Sequence, residues 1–118
     1  MRSNREYQIS KDIALYMRLQ YPNVIYRFDM AGLNLSIAQA GMNKSIQCSK
    51  GYPDLFIAEP RGNYHGLFIE IKKEGFDTMK KNGTYVTPHV EEQADMLQRL
   101  RGKGYIALFG IGFDECLE

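Results

Sequence analysis

Two apolar runs on either side of a turn constrain this chain more than any other feature. Leu-Phe-Ile-Ala at 55–58 and Leu-Phe-Ile-Glu-Ile-Lys at 67–72 flank the turn formers Pro60, Gly62 and Asn63, a pattern that pairs as an antiparallel hairpin. In such a hairpin, facing residues have position numbers with a constant sum. Asp54 and Glu70 are equidistant from Gly62, so a regular register sets two carboxylates side by side. Alternation along the second strand turns Glu70 and Lys72 to one face and Leu67, Ile69 and Ile71 to the other. A one-residue bulge would break this arrangement. A strand that served only to fill a core would carry neither an acid nor an amine on its inner face.

The remaining segments supply layers for that hairpin. Ser3 and Glu6 have capping-box spacing, and Ile9, Ile13, Tyr16, Met17 and Gln20 recur with helical period until Pro22, which predicts a helix over residues 4–20. Residues 24–28 alternate as a strand, with Val24, Tyr26 and Phe28 on one face. Between 31 and 51 the chain is rich in Gly, Asn and Ser, yet Leu33, Leu35, Ile37 and Ala38 suit a short apolar helix or an irregular packed segment. Residues 74–87 read as a loop. Thr87 as N-cap and Pro88 at the first helical position then open a second long helix, with Val90, Gln93, Ala94, Leu97 and Leu100 inward. Gly102 and Gly104 end it, and the apolar run 105–109 has the character of a strand buried on both faces. The order of helix, strand, hairpin, helix and strand is α/β. With 118 residues, 44% hydrophobic and 25% charged, the chain is expected to form one domain over residues 1–118.

Several classes are excluded or left without support. No apolar run approaches the ~20 residues needed to span a bilayer, and the polar start lacks an apolar leader, so a soluble, cytoplasmic protein is expected. Cys48 and Cys116 lie far apart with no further ligand at zinc spacing, which leaves two free thiols as the expectation. The net charge of +1 carries no global signal for a polyanion, but basic residues cluster at Lys72, Lys73, Lys80 and Lys81 and again at Arg99, Arg101 and Lys103. Such clusters suit nucleic acid or a plain solvated face.

Two adjacent carboxylates repel unless a proton or cation lies between them, and a hard divalent ion such as Mg2+ takes oxygen ligands of this kind. A metal so bound can lower the pKa of its water and neutralise charge on a phosphoryl group, while the Lys72 ammonium orients the attacking water or stabilises the transition state. The chemistry implied is metal-assisted phosphodiester hydrolysis. The bland alternative is a surface hairpin with an Asp in its turn and a Glu/Lys pair on its solvent face. His65 and His89 read as turn and helix-start residues, with His89 close enough to the expected groove to touch phosphate; Tyr52 and Tyr85 are either exposed tyrosines or stacking platforms for DNA.

The motifs Gly51-Tyr52-Pro53-Asp54-Leu55 and Glu70-Ile71-Lys72-Lys73, with Gln93 in the helix before Gly104-Tyr105, resemble the virus-type replication-repair nuclease domain (VRR-NUC), a branch of the PD-(D/E)XK nuclease superfamily. The resemblance runs over residues 6–109. It implies a mixed β-sheet flanked by helices, the restriction-endonuclease-like core, and Mg2+- or Mn2+-dependent cutting of DNA. It implies metal ligation by Asp54, Glu70 and the backbone carbonyl of Ile71, with Glu6 reaching the metal through water, and a catalytic set of Asp54, Glu70, Lys72 and Gln93. Lys73, Lys80, Lys81 and His89 are the expected DNA-binding residues. Glu6 also fits the capping box with Ser3, and Gln93 also fits a core-edge amide satisfied by backbone.

The free-standing members that the chain resembles come mostly from phages and prophages, which implies a homodimer acting on branched DNA in the manner of a Holliday-junction resolvase, in a bacterial host's cytoplasm. The expected self-contact is segment 33–41, with packing within the monomer as the close alternative. A non-catalytic DNA-binding or assembly module on the same fold is the main alternative. A hydrolase of small phosphoesters fits less well, because the chain has no phosphate-cradling Gly-rich motif.

Overall fold

Ile9, Ile13 and Met17 form one apolar stripe on helix α1, Asn4–Gln20, and that stripe lies on a four-stranded sheet. The computed structural model describes residues 4–29, 35–48 and 50–112. Ser3, Met30, Leu33, Cys116 and the acidic end at 113–118 lie outside the described residues, and with them the capping box of α1 and the second thiol.

Strand β1, Tyr26–Phe28, runs antiparallel to β2, Leu55–Ile57, with Phe28 facing Leu55. It is shorter than the alternation predicts. The pairing is extended at both ends by backbone bonds from Asp29 N to Asp54 O at 2.7 Å and from Ala58 N to Ile25 O at 2.8 Å. Strand β2 pairs antiparallel with β3, Leu67–Lys72, with Leu55 opposite Ile69 and Ile57 opposite Leu67. No bulge intervenes, and the same register carried one step further sets Asp54 opposite Glu70. Helix α3, Pro88–Arg101, then crosses over and returns the chain as β4, Ile106–Ile111, parallel to β3 with Leu67 opposite Ile106 and Lys72 opposite Ile111. The sheet order is β1-β2-β3-β4, which makes β3 central and β4 an edge.

That order corrects the reading of β4 as a strand buried on both faces. Ala107 and Gly110 are buried, but Ile106, Leu108, Phe109 and Ile111 are half-buried, because among the described residues no further strand covers the outer edge. A continuous apolar run cannot distinguish a central strand from an edge strand lying under helices.

The two faces have separate cores. Ile9, Ile13 and Met17 of α1 close over Leu55, Ile69 and Ile71, whereas Met96, Leu97 and Leu100 of α3 close over Phe68 and Ala107. Each cluster removes several large apolar side chains from water, at about 1.5–3 kcal/mol per fully buried side chain. Thr87 caps α3 by accepting from Val90 N, and Pro88 occupies the first turn. Met96 takes the buried place expected of Ala94, which is half-buried. At the far end Arg101 Nε donates to Ala107 O at 2.7 Å and anchors the helix on β4. His65 is structural: its N–H donates to Gly104 O at 2.8 Å, and its ring meets that of Tyr105 edge-on.

Helix α2, Ile37–Ser45, is the short helix suggested between 31 and 51, and it owes its start to Ser36. Gln39 N donates to Ser36 Oγ at 3.1 Å and Ser36 N donates to Gln39 Oε1 at 3.0 Å, a reciprocal capping box. None of its residues is buried: Ile37 is 95% exposed and Ile46, just past the end, 83%.

Candidate active site

The chain folds over itself so that one cavity of about 550 Å³ is walled by Glu6 of α1, Asp54 before β2, Glu70 and Lys72 of β3, and Gln93 of α3. Lys73 and His89 line it as well. The β3 alternation explains the composition. Phe68, Glu70 and Lys72 share the face under α3, so the strand's polar half lies under the helix's first turns while Phe68 lies under its apolar middle. Glu70 is only 4% exposed and Lys72 only 7%. These are interior charges and do not form the solvent face of a surface hairpin.

Asp54 is tied to this strand directly. Its Oδ2 accepts from the backbone N–H of Ile71 at 2.8 Å, which extends the β2–β3 pairing one step beyond the ladder. Glu70 is held from above: Gln93, 6% exposed, donates through Nε2 to Glu70 Oε1 at 3.0 Å. In this orientation the Gln93 amide presents its nitrogen, a donor only, to the carboxyl oxygen. The same nitrogen lies 3.2 Å from His89 Nε2, which therefore accepts and leaves the ring proton on Nδ1, 3.9 Å from Glu92 Oε2. Gln93 Oε1 is buried without a hydrogen-bond partner among the described residues, an acceptor at the cavity wall. Gln93 is a buried amide, as both readings of it expected, and the hydrogen-bond partner of its nitrogen is the Glu70 carboxyl and not a backbone group.

The Lys72 ammonium lies 5.1 Å from the centroid of the Phe76 ring, a cation–π contact that limits where the amine can point. Phe76 also lines the cavity. The sequence gives only a weak hint of it, an aromatic residue just past the Gly75 turn. Asp29 carries no motif or periodic signal in the sequence; it enters the cavity wall because its backbone pairs with Asp54 at the end of β1. Tyr52, expected as an exposed ring or a stacking platform, is exposed at the cavity wall; one edge of its ring packs against Phe68 at 5.8 Å, and the partial burial pushes its hydroxyl pKa up.

Two flanking devices position the walls. Gly51 has φ 80, and a Cβ there would stand 2.9 Å from Glu92 O, so the loop before Asp54 abuts the backbone of α3 as only glycine allows. Next in sequence to the cavity-lining Glu6 and Lys73, Arg5 and Glu74 form a two-pronged ion pair, with Arg5 Nε donating to Glu74 Oε1 at 2.8 Å and Nη2 to Oε2. That pair joins the N-terminal turn of α1, which carries Glu6, to the segment leaving β3. The Arg5 hydrogen bond holds the Glu74 carboxyl down at about 2.

Lys80 and Lys81 stand apart from the cavity. The segment that reads as a loop over 74–87 contains a small hairpin in which Met79 pairs antiparallel with Tyr85, and the two lysines are exposed at its tip.

Hard oxygen donors are available to a divalent ion from Asp54 and Glu70, with Glu6 and Asp29 further round the wall. Among the described residues no group of three or more His, Cys, Asp or Glu side chains converges into a ready-made cage. That donor set fits Mg2+, which keeps several waters and takes one or two carboxylates, better than it fits a fully protein-ligated ion.

A VRR_NUC domain protein of known structure superposes on this chain with a TM-score of 0.65 and 26% sequence identity, covering 99% of this chain and 85% of that one. No protein-family model and no curated protein sequence matches. No helix among the described residues is long and apolar enough to cross a membrane.

Proposed function

This chain is a VRR-NUC-type domain with the α/β fold of the PD-(D/E)XK nucleases, and from that premise we propose that it is a metal-dependent, structure-selective DNA endonuclease. One observation carries the proposal. Asp54 and Glu70 meet across adjacent strands in one cavity, with the buried Lys72 two residues further along β3. Asp54, Glu70 and the backbone carbonyl of Ile71 would hold Mg2+ or Mn2+, with Glu6 reaching it through water. When bound, the ion would supply Lewis acidity and an acidified water.

The chain's own groups have distinct tasks. Gln93 fixes the rotamer of Glu70 through the 3.0 Å bond, and the Phe76 ring restrains Lys72 so that its positive charge stays near the phosphoryl group. Lys73 and His89 line the cavity and would contact the DNA backbone there, where the N-terminal end of the α3 dipole favours anions.

A non-catalytic binding module is the weaker reading. Burying a carboxylate beside a second acid is costly without a compensating cation, and a surface that only bound DNA would have no use for Glu70 at 4% exposure.

Among DNA structures, a four-way junction cut by a homodimer is the reading we favour, because two-fold symmetry in the protein matches the two related cuts that resolution requires. Helix α2, with no buried residue, supports it by offering an apolar surface for a second copy. The test is to incubate the chain with labelled four-way junction, flap, nicked and linear DNAs in Mg2+, Mn2+ or EDTA. Cleavage in the first two metals and none in EDTA is expected, with the junction cut fastest. Undiminished cleavage in EDTA would overturn the mechanism.

A further inference from the structure

The hairpin at the cavity rim is more ordered than its composition suggests. Phe76 and Thr87, on either side of it, both line the cavity. Between them Val86 N donates to Thr78 O at 2.9 Å, Met79 pairs with Tyr85, and Lys80 N donates to Thr84 O at 2.6 Å. The ribbon closes through three residues, Lys81, Asn82 and Gly83, with Gly83 N donating to Lys80 O at 3.0 Å. Gly83 has φ 86, the left-handed conformation with which three-residue hairpin loops commonly end. Asn82 Oδ1 locks the tip by accepting from Thr84 N at 3.1 Å and from Thr84 Oγ1 at 2.7 Å.

We propose that this hairpin is a preformed finger that enters the groove of a duplex DNA arm beside the cut site, so that the domain takes duplex arms in preference to single strands. The proposal rests on the nuclease reading above and names the kind of substrate that site receives. A two-stranded ribbon fits the major groove of B-DNA, about 12 Å wide, and Lys80 and Lys81 at the exposed tip meet the phosphates that border it. Single-strand binders instead offer aromatic platforms for unstacked bases. Residues 80–84 contain no aromatic side chain, Tyr85 is half-buried in the stem, and the Phe76 ring is engaged with Lys72. Because the tip is already closed by its own hydrogen bonds, little further ordering opposes its insertion.

Shape and charge can be separated by mutation. Gly83→Val keeps both lysines, and a Cβ at that position meets no atom within 4 Å, so the substitution acts through the backbone conformation that a β-branched residue resists. Asn82→Ala loosens the same tip without touching the glycine. Lys80→Ala with Lys81→Ala removes the charge and keeps the turn. Binding to a blunt labelled duplex and to one of its strands is measured in EDTA by fluorescence anisotropy, with thermal melts to verify folding.

Gly83→Val and Asn82→Ala should each weaken duplex binding, by roughly tenfold for Gly83→Val, and leave single-strand binding within about twofold. The double lysine variant should lower the salt slope on duplex by about two. Duplex binding at wild-type strength in both tip variants, or equal losses on duplex and single strand, overturns the finger and leaves the nuclease reading standing. A wild-type chain that binds neither DNA overturns both.

Discussion

Asp54 and Ile71 are joined across the hairpin, with the aspartate Oδ2 accepting from the Ile71 backbone N–H at 2.8 Å. The side chain at the start of one strand thereby fixes the next strand at the point where Glu70 and Lys72 emerge, and Asp54 has a structural task beside its chemical one. The two tasks separate on mutation. Asp54→Asn keeps an acceptor for Ile71 and should abolish cleavage with little change in unfolding free energy. Asp54→Ala should abolish cleavage and also cost about 1–3 kcal/mol, the range for leaving a buried donor such as the Ile71 N–H unsatisfied. Denaturant unfolding measured beside cleavage of labelled DNA distinguishes them, and wild-type cleavage by Asp54→Asn would remove Asp54 from the site.

Gln93→Met retains the volume of the side chain and removes the donor to Glu70 Oε1. Turnover should fall by roughly tenfold to a hundredfold, the scale of losses when a group that orients a metal ligand is changed, and DNA affinity should hold. An unchanged kcat would return Gln93 to a packing role.

The contact of Lys72 with the Phe76 ring predicts a graded series. Lys72→Ala should eliminate measurable turnover and leave DNA binding largely in place. Phe76→Leu should slow turnover by no more than about thirtyfold, since the lost cation–π contact is worth about 0.5–2 kcal/mol. A Phe76→Leu variant as inactive as Lys72→Ala would mean that the ring has a further role.

Glu74 has its carboxyl lowered from the ordinary 4.5 to about 2 by the hydrogen bond from Arg5. A carboxyl depressed in the folded state stabilises it fully above the unfolded value, and that contribution is lost as pH falls from about 4.5 through about 2. Arg5→Ala should move the Glu74 titration, followed by carbon-detected NMR, back up toward 4.5. High salt should shift it the same way, because the pair is exposed. A Glu74 midpoint that ignores Arg5→Ala would show that the two-pronged pair does not persist in solution.

Ile37 at 95% exposure tests the dimer. Ile37→Glu should leave the melting temperature within a degree or so of a monomeric reference, since the side chain is almost fully exposed, and should shift the light-scattering mass from dimer toward monomer. A wild-type mass equal to one 13.6 kDa chain while junctions are still cut in pairs would overturn the dimer and leave the nuclease proposal intact.

Much of this molecule is local in origin and therefore legible in its sequence. Helix α1 follows from the period of Ile9, Ile13 and Met17, and the start of α3 from Thr87 and Pro88, because periodicity and capping act within a few residues. The arrival of Asp54 and Glu70 in one cavity was also legible, since the hairpin register that sets Leu55 opposite Ile69 converts sequence distance from the turn into spatial position. Other features depended on segments far apart in the chain. Whether 105–111 became a central or an edge strand depended on how α3 crossed the sheet, and an apolar run has the same pattern in both places. Asp29 and Phe76 reached the cavity through β-pairing and a turn, and neither carries a periodic signal. The hairpin around Lys81 needed Asn82 and Gly83 to close on Thr84, a cooperation of side chain and backbone that appears in the sequence only as a polar, glycine-containing stretch. The sequence determined which groups could do chemistry, because residue identity and local register are written along the chain; the tertiary structure decided which of them meet, because the cavity is closed by α1, β3 and α3, whose contributions lie tens of residues apart.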